Sequence, residues 1–158
     1  AIIAKDEIWQ PLIDHNSAFK AGHTLNANAV SCAGALAVLD YGEEQNLVAR
    51  SAEMGAYMLE QMKQRLLPHR IVGDVRGRGL MLGFEIVRDK ATKEPFEPKM
   101  GMSKRLEDAA FERGIITYPC TGSLDGVLGD MVLLAPPLII SRDEIDWACE
   151  RLARVLQA

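Results

Sequence analysis

Between Ile71 and Val87 the sequence dictates paired strands. Leu80, Leu82, Phe84 and Ile86 alternate with Met81, Gly83, Glu85 and Val87, the two-residue period of a strand buried on one face. Just upstream, Val75-Arg76-Gly77-Arg78-Gly79 sets two glycines where a turn or bulge needs backbone freedom. Arg76 and Arg78 suit local ion pairs across that turn, or a phosphate. A single copy without an aromatic platform argues against RNA.

The flanking segments predict helices and further short strands. A helix from Glu43-Glu44 to about Leu67 carries an apolar stripe through Met54, Met58, Met62 and Leu66, and Pro68 ends it. That stripe reads as core packing. Met102 to Arg113 predicts a helix closed by Gly114, and Ile115 to Tyr118 and Met131 to Leu134 predict strands. Pro119 to Gly129 lies between these as a glycine-rich loop. Ser141 with Glu144 forms a capping box for a final helix, with Trp147, Leu152 and Val155 on its buried side. Before all of these come a strand end at Ile2 to Ala4, a helical turn at Asp6 to Gln10 and a loop from His15 to Leu25. Asn26 or Asn28 caps a helix running to Leu39, which Tyr41-Gly42 breaks. The order implies an α/β or α+β chain with a small, mostly antiparallel sheet packed by helices.

Composition narrows the function classes. The 158 residues are 48% hydrophobic and 25% charged with a net charge of −4, ordinary globular values without a basic footprint for nucleic acid. The best apolar run, Met131 to Ile140, is interrupted by Pro136-Pro137 and is too short for a membrane span. Cys32, Cys120 and Cys149 form no CxxC pair, which points to a reducing, cytoplasmic setting. His15, His23 and His69 have no metal-ligand spacing with them. Without an initiator Met or leader pattern, Ala1-Ile2-Ile3-Ala4 reads as a chain entered in the middle.

Chemistry is suggested most by Gly22-His23-Thr24, set before the small-residue helix Asn28 to Leu39. Glycine allows close backbone approach, and a hydroxyl beside free N–H groups at a helix start suits phosphate. An N-capped core helix explains the same residues without a ligand.

Four segments, in order, resemble the C-terminal portion of the class III pyridoxal-phosphate-dependent aminotransferases of fold type I. They are Gly22-His23-Thr24 with Asn28 and its helix; Val75 to Met81 with Glu85; Arg113-Gly114-Ile115-Ile116; and Leu134 to Ile140 around Ala135-Pro136-Pro137. The resemblance implies pyridoxal 5'-phosphate as cofactor, with Thr24 on its phosphate and the His23 backbone beside it. It implies residues 1–45 as the end of the large cofactor domain and 46–158 as the small α/β domain of a homodimer. Its substrates would be an amine or amino acid and a keto acid. Ala27 and Ala29 depart from the Gly and Pro common at those positions.

The family's Schiff-base lysine lies further upstream than the 23 residues before Thr24, and Lys5 and Lys20 lack its context. The chain alone is therefore expected to be inactive. Many relatives acting on amino or keto acids place a carboxylate-clamping arginine shortly before Ala-Pro-Pro. Here Pro119 to Ala135 holds no arginine or lysine but does hold Asp125 and Asp130. A clamp would then come from Arg76, Arg78 or an upstream residue, and amines or ω-amino acids become the expected substrates. Two alternatives stand beside this: a different pyridoxal-phosphate reaction, and a non-catalytic dimerisation or ligand-binding module.

Overall fold

The computed structural model describes residues 3–18, 20 and 22–157. The chain forms two compact units, Ala1–Tyr41 and Gly42–Ala158. The first holds α1 (Asp6–Asp14) and most of α2 (Ala29–Glu44). Ile3 and Ala4 are irregular rather than a strand end, and Ile2 lies outside the described residues, as do Phe19 and Ala21 of the expected loop. Asn28 caps α2, its Oδ1 accepting from the Ser31 N–H at 3.0 Å.

Tyr41-Gly42 does not break α2, because one glycine inside a helix costs only about 1 kcal/mol. The break falls at Asn46, whose φ of 47° is left-handed, a conformation asparagine tolerates. Glu43 and Glu44 thus end α2 instead of starting α3 (Leu47–Arg65). No residue of α2 is buried, and Val30 and Val38 are 81% and 71% exposed. A helix apolar on all sides is stable only where other structure covers it.

The second unit is built on a four-stranded antiparallel sheet in the order β1-β2-β4-β3. Its strands are β1 (Val72–Arg78), β2 (Met81–Ile86), β3 (Tyr118–Thr121) and β4 (Asp130–Leu134). The β1–β2 hairpin is as expected. β3 starts three residues later than predicted, leaving Ile115 to Thr117 irregular, and takes Pro119 into the strand. An edge strand tolerates that proline because its outward N–H is not needed for a ladder.

α3, α4 (Met102–Phe111) and α5 (Arg142–Leu156) complete the unit. Val75, Leu82, Phe84, Val132 and Leu134 share one core with Met54, Met58 and Met62 of α3, Leu106 of α4 and Ile145 and Leu152 of α5. The methionine stripe is core. The capping box of α5 is present in both directions between Ser141 and Glu144. Trp147 is 46% exposed rather than buried; its ring carries the Arg151 guanidinium 4.3 Å from the centroid, a cation–π contact that suits a half-wet surface.

Candidate functional site

The first candidate residues occupy a tight turn. The Asn26 N–H donates to the His23 carbonyl at 2.9 Å, and the Asn28 N–H to Leu25 at 3.2 Å. Ala27 sits at φ 57°, a left-handed conformation that costs a residue bearing a Cβ about 1–2 kcal/mol. Ala29 is the first residue of α2, where proline's fixed φ would be pre-organised. These placements give a physical reason for the Gly and Pro that the two alanines replace.

Thr24 and His23 are exposed, and their side chains have no partner among the described residues. The hydroxyl of Thr24 is a free donor near a helix start, and this donor set fits a phosphate group. Lys5 immediately precedes α1 without a side-chain capping bond, and Lys20 is exposed in the loop.

Elements of the second unit separate the other candidates. Arg78 pairs with Met81 and Leu82 with Leu134, so the β1–β2 turn and Ala135 leave the sheet at one end. Asp130 pairs with Ile86 and Thr121, so the glycine-rich loop leaves at the other. The five-residue rise from Asp130 to Ala135 spans about 17 Å at ~3.4 Å per residue. Neither acid of that loop faces Ala135. Asp125 Oδ1 accepts from the N–H groups of Leu128 at 2.6 Å and Val127 at 2.9 Å. Those two bonds hold its carboxyl below the usual carboxylate range.

Asp130 is buried, 6% exposed, and accepts from the Ser103 N–H at the start of α4 at 3.2 Å. The fully buried Ser103 hydroxyl lies 2.7 Å from Asp130 Oδ1 and 2.9 Å from the Cys120 carbonyl. This pair fastens α4 to the β3–β4 hairpin. Replacing Ser103 with alanine removes a donor from a buried acceptor and is expected to cost about 1–3 kcal/mol. The midpoint of denaturant unfolding reads that loss; an unchanged midpoint contradicts it. Nothing local in the sequence announces this contact, because its partners lie 27 positions apart.

Arg76 and Arg78 also part company. The Arg76 guanidinium donates to Asp74 at 2.7 Å and to Glu85 across the hairpin. Bonds to Glu85 and then Asp74 raise its pKa further, and the Arg76 contact lowers that of Asp74. Arg78 is exposed and has no partner among the described residues. The local ion pairing expected for the turn holds for Arg76 alone. Arg142, at the start of α5, is exposed and paired with Glu53 at 2.9 Å.

Beside the β3 edge lies an apolar hollow of about 380 Å³, bounded by Met58, Ile115, Thr117, Pro136, Ile140 and Leu152. The Thr117 hydroxyl there is buried and has no partner among the described residues. The lining includes no carboxylate, amine or imidazole, so the hollow offers shape rather than acid–base chemistry.

Known proteins share this arrangement. The family model for Aminotransferase class-III matches residues 1–156. An uncharacterized aminotransferase of Schizosaccharomyces pombe is 44% identical over 84% of this chain and 29% of its own length. A leucine/methionine racemase of Thermococcus litoralis is 30% identical over 99% of this chain and 32% of its own. The structure of an (S)-enantioselective omega-transaminase from Thermomicrobium roseum superposes with a TM-score of 0.83 at 41% identity, over 96% of this chain and 32% of that one. The chain therefore spans about 30% of the length of the relatives it matches.

Proposed function

This chain belongs to the class III aminotransferase family, and we propose that it is the C-terminal portion of a pyridoxal-phosphate enzyme. That enzyme moves an amino group from an amine or amino acid to a keto acid. The observation that carries the reading is the family match across 156 residues in a chain with the architecture of solved transaminases. The bound cofactor supplies the electron sink for the reaction. The chain's own contribution is binding: the Thr24 hydroxyl donates to the cofactor phosphate, with the His23 backbone beside it.

Residues 1–45 are assigned to the large cofactor domain and 46–158 to the small domain. A cytoplasmic homodimer is the assembly that fits this reading, since the all-round apolar surface of α2 needs cover. The missing cation between Pro119 and Ala135 supports amines or ω-amino acids as donors. The racemase relative favours, as a second reading, a different pyridoxal-phosphate reaction on the same scaffold.

The 158-residue chain is expected neither to transfer an amino group nor to acquire a stoichiometric lysine label from pyridoxal phosphate and borohydride. The longer protein that carries it is expected to label one lysine upstream of Ala1 and to turn over an amine with a keto acid. Turnover in the isolated chain with full labelling of Lys5 or Lys20 overturns the assignment. Inversion of an amino acid without a keto acid would select the racemase-type reading instead.

A further inference from the structure

Three lysines converge where α3 ends. Lys63 comes from its last turn, and Lys90 and Lys93 from the small hairpin that Asp89 and Glu94 close after β2. Together with Asp74 of β1 they line an open hollow of about 550 Å³ over Leu67 and Pro68. Two of the ammonium groups are already fixed. Lys90 Nζ donates to the Leu67 carbonyl and, at 3.4 Å, to that of His69, while Lys93 Nζ donates to the Gly73 carbonyl. A side chain held in this way has little rotamer freedom left to lose to a ligand. An ammonium carries three donors, so each keeps at least one, and Lys63 has no partner among the described residues.

The charge here is positive after every nearby acid is counted. None of the three lysines forms an ion pair among the described residues. Asp74 Oδ2 accepts from Arg76 at 2.7 Å, and Arg76 also donates to Glu85. Asp89 Oδ1 accepts from the N–H groups of Ala91 and Thr92 at 2.8 and 2.9 Å, and Glu94 pairs with Arg88. Setting Arg76 and the three lysines against Asp74 and Glu85 leaves a surplus of two positive charges. The negative end of α3 offsets only about half a charge of it. Burial first, and then the charges of Arg70 and Lys90, hold the His69 imidazole below its usual pKa, so the positive field extends past the hollow.

We propose that this hollow binds the phosphate chain of a small polyphosphate, either free or carried by a nucleotide. Lysines present compact charge without the fixed fork of arginine, which suits a multiply charged chain better than one planar carboxylate. The volume falls within the range of about 300–1,000 Å³ for small-molecule sites, and a single phosphate would leave most of it empty. The site lies wholly within the second unit and does not depend on the aminotransferase reading.

The test uses the full-length protein saturated with pyridoxal phosphate, so that the cofactor's own phosphate site is filled. Calorimetric titration with inorganic tripolyphosphate in 50 mM salt is expected to show one site with a Kd of about 1 mM. Affinity falls as salt rises to 200 mM, because the lysines are solvent-facing. K63Q and K93Q should each weaken binding about two- to fivefold, and together about tenfold. K93R keeps the charge and restores the affinity, which separates charge from any loosening of the loop. K104Q is the control, since Lys104 is exposed but paired with Glu107 and Asp108; it should bind as the wild type does. ATP binding at least as tightly as tripolyphosphate names a nucleotide as the source, and weaker ATP binding names the free polyphosphate. The proposal is overturned if no saturable binding appears up to 10 mM, if the double variant K63Q/K93Q binds as the wild type does, or if K104Q weakens binding equally.

Discussion

Gly55→Ala is expected to destabilise the second unit by about 3 kcal/mol, the upper end for forcing atoms into a packed interior. The added Cβ would stand 2.0 Å from the Gly79 carbonyl oxygen and 2.2 Å from its carbon. Both are backbone atoms, so no side-chain rotation relieves the clash. Gly79 cannot yield easily either, since its φ of 55° belongs to the hairpin turn and its own Cβ position faces Ser51 Oγ. The helix must move off the turn or the turn must unpair. Thermal unfolding should drop by about 6–12 °C, given roughly 2–4 °C per kcal/mol for a chain of this size. Gly42→Ala supplies the contrast: nothing lies within 4 Å of its Cβ position, and an alanine inside a helix is preferred by about 1 kcal/mol. Equal melting of wild type and Gly55→Ala would show that α3 does not hold the turn.

This contact explains why the Arg-Gly-Arg-Gly segment is ambiguous when read alone. Its glycines look like those of a loop that cradles a phosphate, yet the structure spends Gly79 on helix packing and Gly77 on close approach to Met81 and Leu82. The spacing of Arg76 and Arg78 does not distinguish them. What does is register, because Glu85 comes within reach of Arg76 only once Asp74 pairs with Glu85 and Arg76 with Gly83.

Local signals were legible for the same physical reason that distant ones were not. The Ser141–Glu144 box closes within three residues, and the Leu80 to Ile86 alternation needs only one buried face. The Asn46 break was hidden because a left-handed asparagine has no periodic trace, while Gly42 offers a stronger but false one. Asp130 reads in the sequence only as an acid in the stretch before Ala135; its burial depends on α4 bringing Ser103 to it, 27 positions away. The class III pattern was legible because its segments keep their order through the whole chain.

Thr24→Ala is expected to weaken pyridoxal phosphate binding about ten- to a hundredfold in the full-length enzyme while leaving the fold intact. A hydrogen bond to a charged group contributes about 1.5–3 kcal/mol, and the substitution removes one such donor. The fold should survive because the Thr24 side chain bonds to nothing else among the described residues. The turn is closed by the His23 and Leu25 carbonyls, and α2 is capped by Asn28 rather than Thr24. Asn28→Ala therefore separates the two roles: it removes a cap worth about 1 kcal/mol and leaves the Thr24 hydroxyl in place. Thr24→Ser keeps the donor and should retain most of the affinity. Cofactor titration of the three variants, followed by the absorbance of bound pyridoxal phosphate, checks the assignment. If Thr24→Ala binds as the wild type does, the phosphate rests on other groups, and the Gly22-His23-Thr24 turn reduces to an entry to α2.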